Sequence, residues 1–316
     1  MRIAILERQT YGEDVSFEAF SKYGQVDVYS LRTDEPILDR LENVDVVLSN
    51  KFPMNQTTLS SSVKLILQTG TGYNNIDVEY CKKKGIAVCN VAGYSTQSVA
   101  QHTFALALSL LEHLQEYDTM VKNHFYSNSG VFSIFTPYFS ELSEKTWGII
   151  GLGTIGKEVA KIANAFGCKV IYYSTSGKNT NTEYEKVDLD TLLKESDVLS
   201  LHAALTDKDV HLINKETLKK MKPSAILINV ARGPFVNESD LVEALDEGYI
   251  AGAGLDVMEK EPLPLDSPLL KIKNPNRLIL TPHMAWGSKE ARTRLIDELL
   301  LNLDAYLEGK RRNRIV

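Results

Sequence analysis

Residues 146–156 read Thr146-Trp-Gly-Ile-Ile150 and then Gly151-Leu-Gly153-Thr-Ile-Gly156, and a helical pattern over 154–166 starts inside the second half. A strand-length apolar run thus feeds three glycines at G-x-G-x-x-G spacing, which open directly into a helix. Gly151 permits the tight turn, Gly153 lets backbone approach a pyrophosphate, and Gly156 lets helix and strand pack closely. Amide N–H groups at the helix start, with the helix dipole behind them, suit doubly negative phosphates. Gly151, Gly153, Thr154, Ile155 and Gly156 are therefore the candidate dinucleotide loop. The plain alternative is a tight turn with no ligand.

Downstream, apolar runs at 169–173, 198–201, 225–230, 251–256 and 277–281 alternate with helix-length polar segments. Strands alternating with helices imply βαβ units and a parallel sheet, here of six strands. Upstream, runs at 3–6, 26–29, 44–48, 65–68 and 87–91 repeat the rhythm. The expected fold class is α/β, with two doubly wound parallel-sheet domains: a Rossmann-type dinucleotide domain and a flavodoxin-like substrate domain. Leu106, Leu110, Leu111 and Leu114 keep helical spacing in a stretch read as one long helix over 98–122. A closing helix is expected over 289–308, capped by Gly309.

Residues 123–145 break the rhythm and carry six aromatics between Phe125 and Phe139. Long irregular segments in compact proteins tend to be functional or interfacial. An excursion packed on its own domain and a subunit contact are both open. The second is preferred, because exposed aromatics on a monomer are a liability.

The chain has 316 residues, 43% of them hydrophobic and 24% charged, so globular domains with real cores are expected. A net charge of −6 argues against nucleic acid or an anionic membrane as the main partner. The basic end, Lys310, Arg311, Arg312 and Arg314, reads as a solvated terminus. Cys81, Cys89 and Cys168 lack metal-ligand spacing, so no metal site is expected, and a reducing, cytoplasmic compartment fits. Charges return after four apolar residues at the start, which reads as a strand rather than a signal peptide. No apolar run approaches membrane-spanning length.

After the strand at 169–173 comes Ser174-Thr-Ser-Gly-Lys178. A dinucleotide fold normally carries an acid here, bonding the ribose hydroxyls of NAD. With no carboxylate to repel a 2′-phosphate, Ser174, Thr175, Ser176 and Lys178 can donate to one. They can equally bond an unphosphorylated ribose, so NAD and NADP both remain open.

Ligands of open parallel sheets bind beyond the carboxyl ends of the strands. Past three late strands stand Ala231-Arg232-Gly233, then Glu259 and Glu261-Pro262, then Pro282-His283. An arginine, a carboxylate and a histidine on the nicotinamide edge suit reduction of a 2-oxo acid. Arginine's fork binds carboxylate at two points and reaches the carbonyl oxygen. Histidine titrates near working pH and can deliver the proton, and a neighbouring carboxylate stabilises imidazolium. Singly, each has a structural reading; together with the glycine loop they point to catalysis. His102, His113, His124, His202 and His211 lack this placement and read as structural or solvated.

On Gly148-Ile-Ile-Gly-Leu-Gly-Thr-Ile-Gly156, Asn229-Val-Ala-Arg-Gly233, Gly254-Leu-Asp-Val257 with Glu261-Pro262, and Thr281-Pro-His283, the sequence resembles the D-2-hydroxyacid dehydrogenase family over essentially its whole length. The resemblance implies Arg232, Glu261 and His283 as the catalytic set. It implies Asp256 near the nicotinamide amide, and Val230, Ala231 and Ala285 lining the cofactor. It further implies a substrate domain from residues 1–98 and 288–316, closing over a cleft on a dinucleotide domain of residues 99–287. Within Gly70-Thr-Gly-Tyr-Asn-Asn-Ile-Asp77, Gly72 and Tyr73 would face the substrate carboxylate, and Lys51 would add a contact unless it is simply a surface lysine. The family implies a homodimer through the dinucleotide domain. Trp286 and residues 172–178 look most like glycerate dehydrogenase/hydroxypyruvate reductase members, making hydroxypyruvate or glyoxylate the expected substrate. Gln101 and Ala204 depart from the family pattern, standing where an acid and a proline are usual. D-lactate or another 2-hydroxy acid is the rival within the family. A nucleotide-sensing corepressor on the same fold is the rival outside it.

Overall fold

The computed structural model describes residues 1–32 and 34–316. It divides into two compact units, Met1–Ser95 with Trp286–Val316, and Thr96–Ala285.

In the first unit, strands β1 (Arg2–Ile5), β2 (Gln25–Val28), β3 (Val46–Ser49), β4 (Leu65–Gln68) and β5 (Ala87–Cys89) form a sheet in the order β2-β1-β3-β4-β5. All neighbours are parallel, and this is the flavodoxin-like order. Side chains alternate across each strand, so both faces must be covered. Ile3, Ile5, Leu48 and Leu67 pack with Leu295, Leu299 and Leu303 of the closing helix Lys289–Leu307. Ala4, Leu6, Val47 and Ile66 pack on the opposite face with Leu41, Phe52 and Ile76. Full burial of each such aliphatic side chain is worth roughly 1.5–3 kcal/mol.

In the second unit, strands β6 (Thr146–Ile150), β7 (Lys169–Tyr173), β8 (Glu185–Lys186), β9 (Val198–Leu201), β10 (Ile226–Asn229), β11 (Gly252–Leu255) and β12 (Leu278–Leu280) run in the order β12-β11-β10-β9-β6-β7-β8. Relative to β6 as first strand this is the Rossmann order with one further strand, and all neighbours are parallel. Trp147, Ile149, Tyr172 and Ile228 pack with Phe104 and Ala107 of the helix Thr96–Leu111; Ile150, Leu201, Leu227 and Leu255 form the other face's core.

Two expectations are corrected. The sheet has seven strands, because β8 is a two-residue edge pairing too short and too charged to be read from hydrophobicity. The expected helix over 98–122 is two helices, Thr96–Leu111 and Leu114–Lys122, broken at His113 in the left-handed region with φ 51°. The second buries none of its residues, so Leu114 and Val121 extend an apolar pattern without joining a core. Residues 123–145 contain only the short helix Phe125–Ser129, and they hold Phe132 94% and Tyr138 83% exposed.

Candidate active site

The reversal of strand order between β6 and β9 opens a crevice at their carboxyl ends, and the glycine loop fills that position. Gly151 has φ +92°, and a Cβ there would lie 2.6 Å from the backbone of Ala203 beyond β9. Only glycine makes that turn beside that neighbour. Gly153 is different, since a Cβ there would meet nothing within 4 Å. It forms the N-cap of the helix Thr154–Ala165, and no side chain caps that helix. Uncapped amides behind an open, side-chain-free approach fit a dinucleotide pyrophosphate.

At the end of β7, Ser174 is buried and its Oγ accepts from Asn179 N at 3.4 Å. Asn179 Nδ2 donates to Leu152 O in the glycine loop at 2.7 Å. The segment is therefore folded against the loop, with Ser176 and Lys178 exposed. Beyond β9, His202 bonds Ser200 Oγ through Nε2 at 3.0 Å, while its buried Nδ1 has no partner among the described residues. Burial pushes its pKa down to about 3, which keeps the ring neutral.

Asn229, fully buried at the end of β10, shapes the next loop. Its Oδ1 accepts from Ala231 N at 3.0 Å and its Nδ2 donates to Arg232 O at 2.9 Å. Arg232 Nη1 donates to Ala231 O at 2.7 Å. Gly233 follows because any Cβ there would strike the Met258 carbonyl. The arginine loop and the turn after β11 are thereby seated against each other.

That turn contains two acids with different partners. Glu259 Oε1 accepts from Glu238 N at 3.0 Å and lies 3.3 Å from His211 Nε2. Glu261 accepts from Met258 N at 3.1 Å through Oε1 and meets His283 Nδ1 at 2.7 Å through Oε2. Glu261 and His283 remain 28% and 24% exposed at the side chain, so the pair is reachable from solvent. With Nδ1–H donating to the carboxylate, Nε2 is left to exchange a proton.

His283 has φ +54°, uncommon for a residue with a side chain. Its N–H donates to Asp256 O at 2.8 Å and Thr281 O at 2.9 Å. The Asp256 carboxylate, 1% exposed, accepts from Met284 N at 2.9 Å, Ala285 N at 2.8 Å and Thr281 Oγ1 at 2.6 Å. His102 Nε2 pairs with the same threonine hydroxyl at 2.9 Å. Strain of this kind persists where surroundings over-determine it, and it concentrates at functional sites.

In the first unit, the Lys51 and Gly72 loops are joined by the buried Gln68, whose Nε2 donates to Asn50 O at 2.8 Å and Gly72 O at 3.0 Å. Buried Glu7 accepts from Asn50 N at 2.6 Å and Lys51 N at 2.8 Å. Burial raises the Glu7 carboxyl above its ordinary pKa, opposed by those two amides. Tyr73 is exposed.

The model of the D-isomer specific 2-hydroxyacid dehydrogenase NAD binding domain matches residues 104–285, more than half of the chain. The chain belongs to this family. It is 37% identical over 319 residues to the hydroxypyruvate reductase of Blautia hydrogenotrophica, covering 98% of each chain. It is also 37% identical over 315 residues to the glycerate dehydrogenase of Methylorubrum extorquens, covering 99% of this chain and 98% of the relative. Among solved structures, the acyclic imino acid reductase Bsp5 in complex with NADPH and D-Arg superposes with a TM-score of 0.88 at 33% identity, covering 100% of both chains. The protein is thus an NAD(P)-dependent oxidoreductase of the D-2-hydroxyacid dehydrogenase family.

Sequence reasoning had not singled out Asn229, Gln68, Glu7 or His102 for the site. The first two had a visible signal: each is a polar residue ending an otherwise apolar strand. Among the described residues, no group of His, Cys, Asp or Glu is disposed to hold a metal, and no helix is long and apolar enough to cross a membrane.

Proposed function

We propose that this dehydrogenase reduces a small 2-oxo acid, hydroxypyruvate or glyoxylate, to the D-2-hydroxy acid. His283 delivers the proton, Glu261 sustains the imidazolium, and Arg232 holds the substrate's carboxylate and carbonyl oxygen. The observation that carries the reading is the 2.7 Å bond between His283 Nδ1 and Glu261 Oε2 at the carboxyl edge of the sheet that also bears the glycine loop. A nicotinamide coenzyme, bound by Gly151, Gly153, Thr154, Ile155 and Gly156 and lined by Val230, Ala231 and Ala285, supplies the hydride. As the carbonyl oxygen gains negative charge, His283 Nε2 gives it a proton, and the remaining neutral ring stays oriented by Glu261. The guanidinium of Arg232 anchors the carboxylate at two points. In the oxidation direction neutral His283 takes the hydroxyl proton.

Asp256 serves by holding the loop that carries His283 and Ala285. Residues 1–98 with 288–316 form the substrate domain, where Lys51, Gly72 and Tyr73 face the carboxylate, and residues 99–287 form the dinucleotide domain. Ser174, Thr175, Ser176 and Lys178 admit a phosphorylated ribose as readily as a plain one. The exposed aromatics of residues 123–145 support a homodimer interface, and three buried free thiols suit the cytoplasm.

The test is absorbance at the reduced-nicotinamide band with hydroxypyruvate, glyoxylate, pyruvate and longer analogues, run with both coenzymes. Activity confined to the longer analogues would overturn the substrate assignment. His283→Ala should lower kcat by on the order of 10²–10⁴-fold with coenzyme affinity little changed. A variant that keeps most of its kcat would remove the histidine from the reaction.

A further inference from the structure

Two residues before the catalytic carboxylate, the chain is clamped by an acid that touches neither histidine nor arginine. Glu238, 7% exposed, is the first residue of the helix Glu238–Glu247. Its Oε1 accepts from Glu259 N at 2.8 Å, and Glu259 Oε1 accepts in return from Glu238 N at 3.0 Å. Ser267 Oγ donates to the second Glu238 oxygen at 3.4 Å, and His211 Nε2 lies 3.3 Å from the same Glu259 Oε1. Immediately beyond, Glu261 folds back onto Met258 N and extends to His283. Residues 258–261 are thus a tight turn tied across its mouth by Glu261 and pinned at its second residue by Glu238.

We propose that Glu238 is a positioning residue for the Glu261–His283 pair, setting through Glu259 N the place at which the turn presents the Glu261 carboxylate. A carboxylate withdrawn from water costs free energy unless hydrogen bonds replace the lost hydration. Burial and the neighbouring Glu259 charge raise the Glu238 carboxyl above its ordinary value, so this cost is present. A helix start that needs only a negative charge is served by an exposed side chain at none of that cost. Glu238 instead directs its bond to the turn that leads to Glu261. Active pairs hold productive geometry only when such supporting contacts lock them.

The inference rests on the proton-donor reading of His283 and Glu261, and one set of variants separates the two. Glu238→Ala removes the acceptor. Glu238→Asp keeps the charge but is one methylene too short to reach Glu259 N. Glu238→Gln keeps a carbonyl oxygen for that N–H and can donate to Ser267. These are compared with Glu261→Gln and with the Glu238→Ala/Glu261→Gln double variant for kcat, KM, coenzyme affinity and the pH at which reduction fades.

Glu238→Ala should lower kcat roughly tenfold, a fraction of the acid–base contribution, with coenzyme affinity within about twofold. Its reduction should fade at lower pH, as in Glu261→Gln, and Glu238→Asp should show a smaller loss of the same kind. Glu238→Gln should sit near the parent, and the double variant should be no worse than Glu261→Gln alone, because both act through one contact. Losses that multiply in the double variant, no recovery in Glu238→Gln, or a parental pH profile in Glu238→Ala would each overturn the positioning role. An unaffected Glu261→Gln would instead sink the pair itself.

Discussion

Asp256→Asn exchanges one oxygen for nitrogen at the centre of the histidine loop, and its consequences can be counted bond by bond. The carboxylate accepts from two backbone amides, Met284 N at 2.9 Å and Ala285 N at 2.8 Å, and from Thr281 Oγ1 at 2.6 Å. In the better asparagine orientation, Oδ1 keeps Met284 N and the threonine, and Nδ2 confronts the N–H of Ala285. One charge-assisted bond becomes a donor facing a donor, and two others lose their ionic character. Bonds to charged groups contribute about 1.5–3 kcal/mol each, so a loss of about 2–4 kcal/mol is expected. For a unit of this size that lowers Tm by roughly 4–16 °C. Trp147, fully buried in the same unit, reports the unfolding by fluorescence. The strained φ at His283 depends on the same loop, so kcat should fall on the order of 10²-fold, the effect of about 1 Å of misplacement. An asparagine variant that unfolds within about 0.5 kcal/mol of the parent, the scatter of ordinary surface substitutions, and turns over normally would refute this account of the loop.

Arg232→Lys loses the two-point fork while keeping the charge, so KM for the oxo acid should rise steeply in steady-state assays; an unaltered KM would mean that another group anchors the carboxylate. His202, neutral in the fold with a pKa pushed down to about 3, must take up a proton on unfolding below its ordinary value of 6.5. Its contribution is present above that pH and is lost at about 1.4 kcal/mol per unit as pH falls toward 3. Urea titrations from pH 7 to 4 should therefore show a flatter acid decline in His202→Asn, and parallel curves would refute it. Phe132→Glu should shift a dimer toward monomer in sedimentation at low micromolar concentration. A monomeric parent, or a variant that sediments as the parent does, would free residues 123–145 from an interface role.

Much of the architecture was legible because hydrophobic alternation is a local property. Thr146–Ile150, Lys169–Tyr173 and Val198–Leu201 appear in the structure with the bounds their apolar runs suggest, since strands buried on both faces have no polar side to blur them. The break at His113 was illegible because leucine spacing continues across it, and a single left-handed residue leaves no hydrophobic signature. The edge strand β8 was illegible for the opposite reason, having no apolar residue to mark it.

Sequence alone determined that a glycine loop joins a strand to a helix, and that an arginine, two acids and a histidine follow the ends of three later strands. Chain order and residue chemistry are enough for that. Only the folded chain decided that Glu261 meets His283 while Glu259 turns toward Glu238 and His211, although the two acids stand two residues apart in one turn. Likewise Asp256 and Gln68 acquired their tasks only when distant loops were brought within hydrogen-bond range of them. The physical reason is the range of the forces. Burial preference is felt residue by residue along the chain, whereas a hydrogen bond is decided within a few tenths of an ångström by segments that meet only after folding.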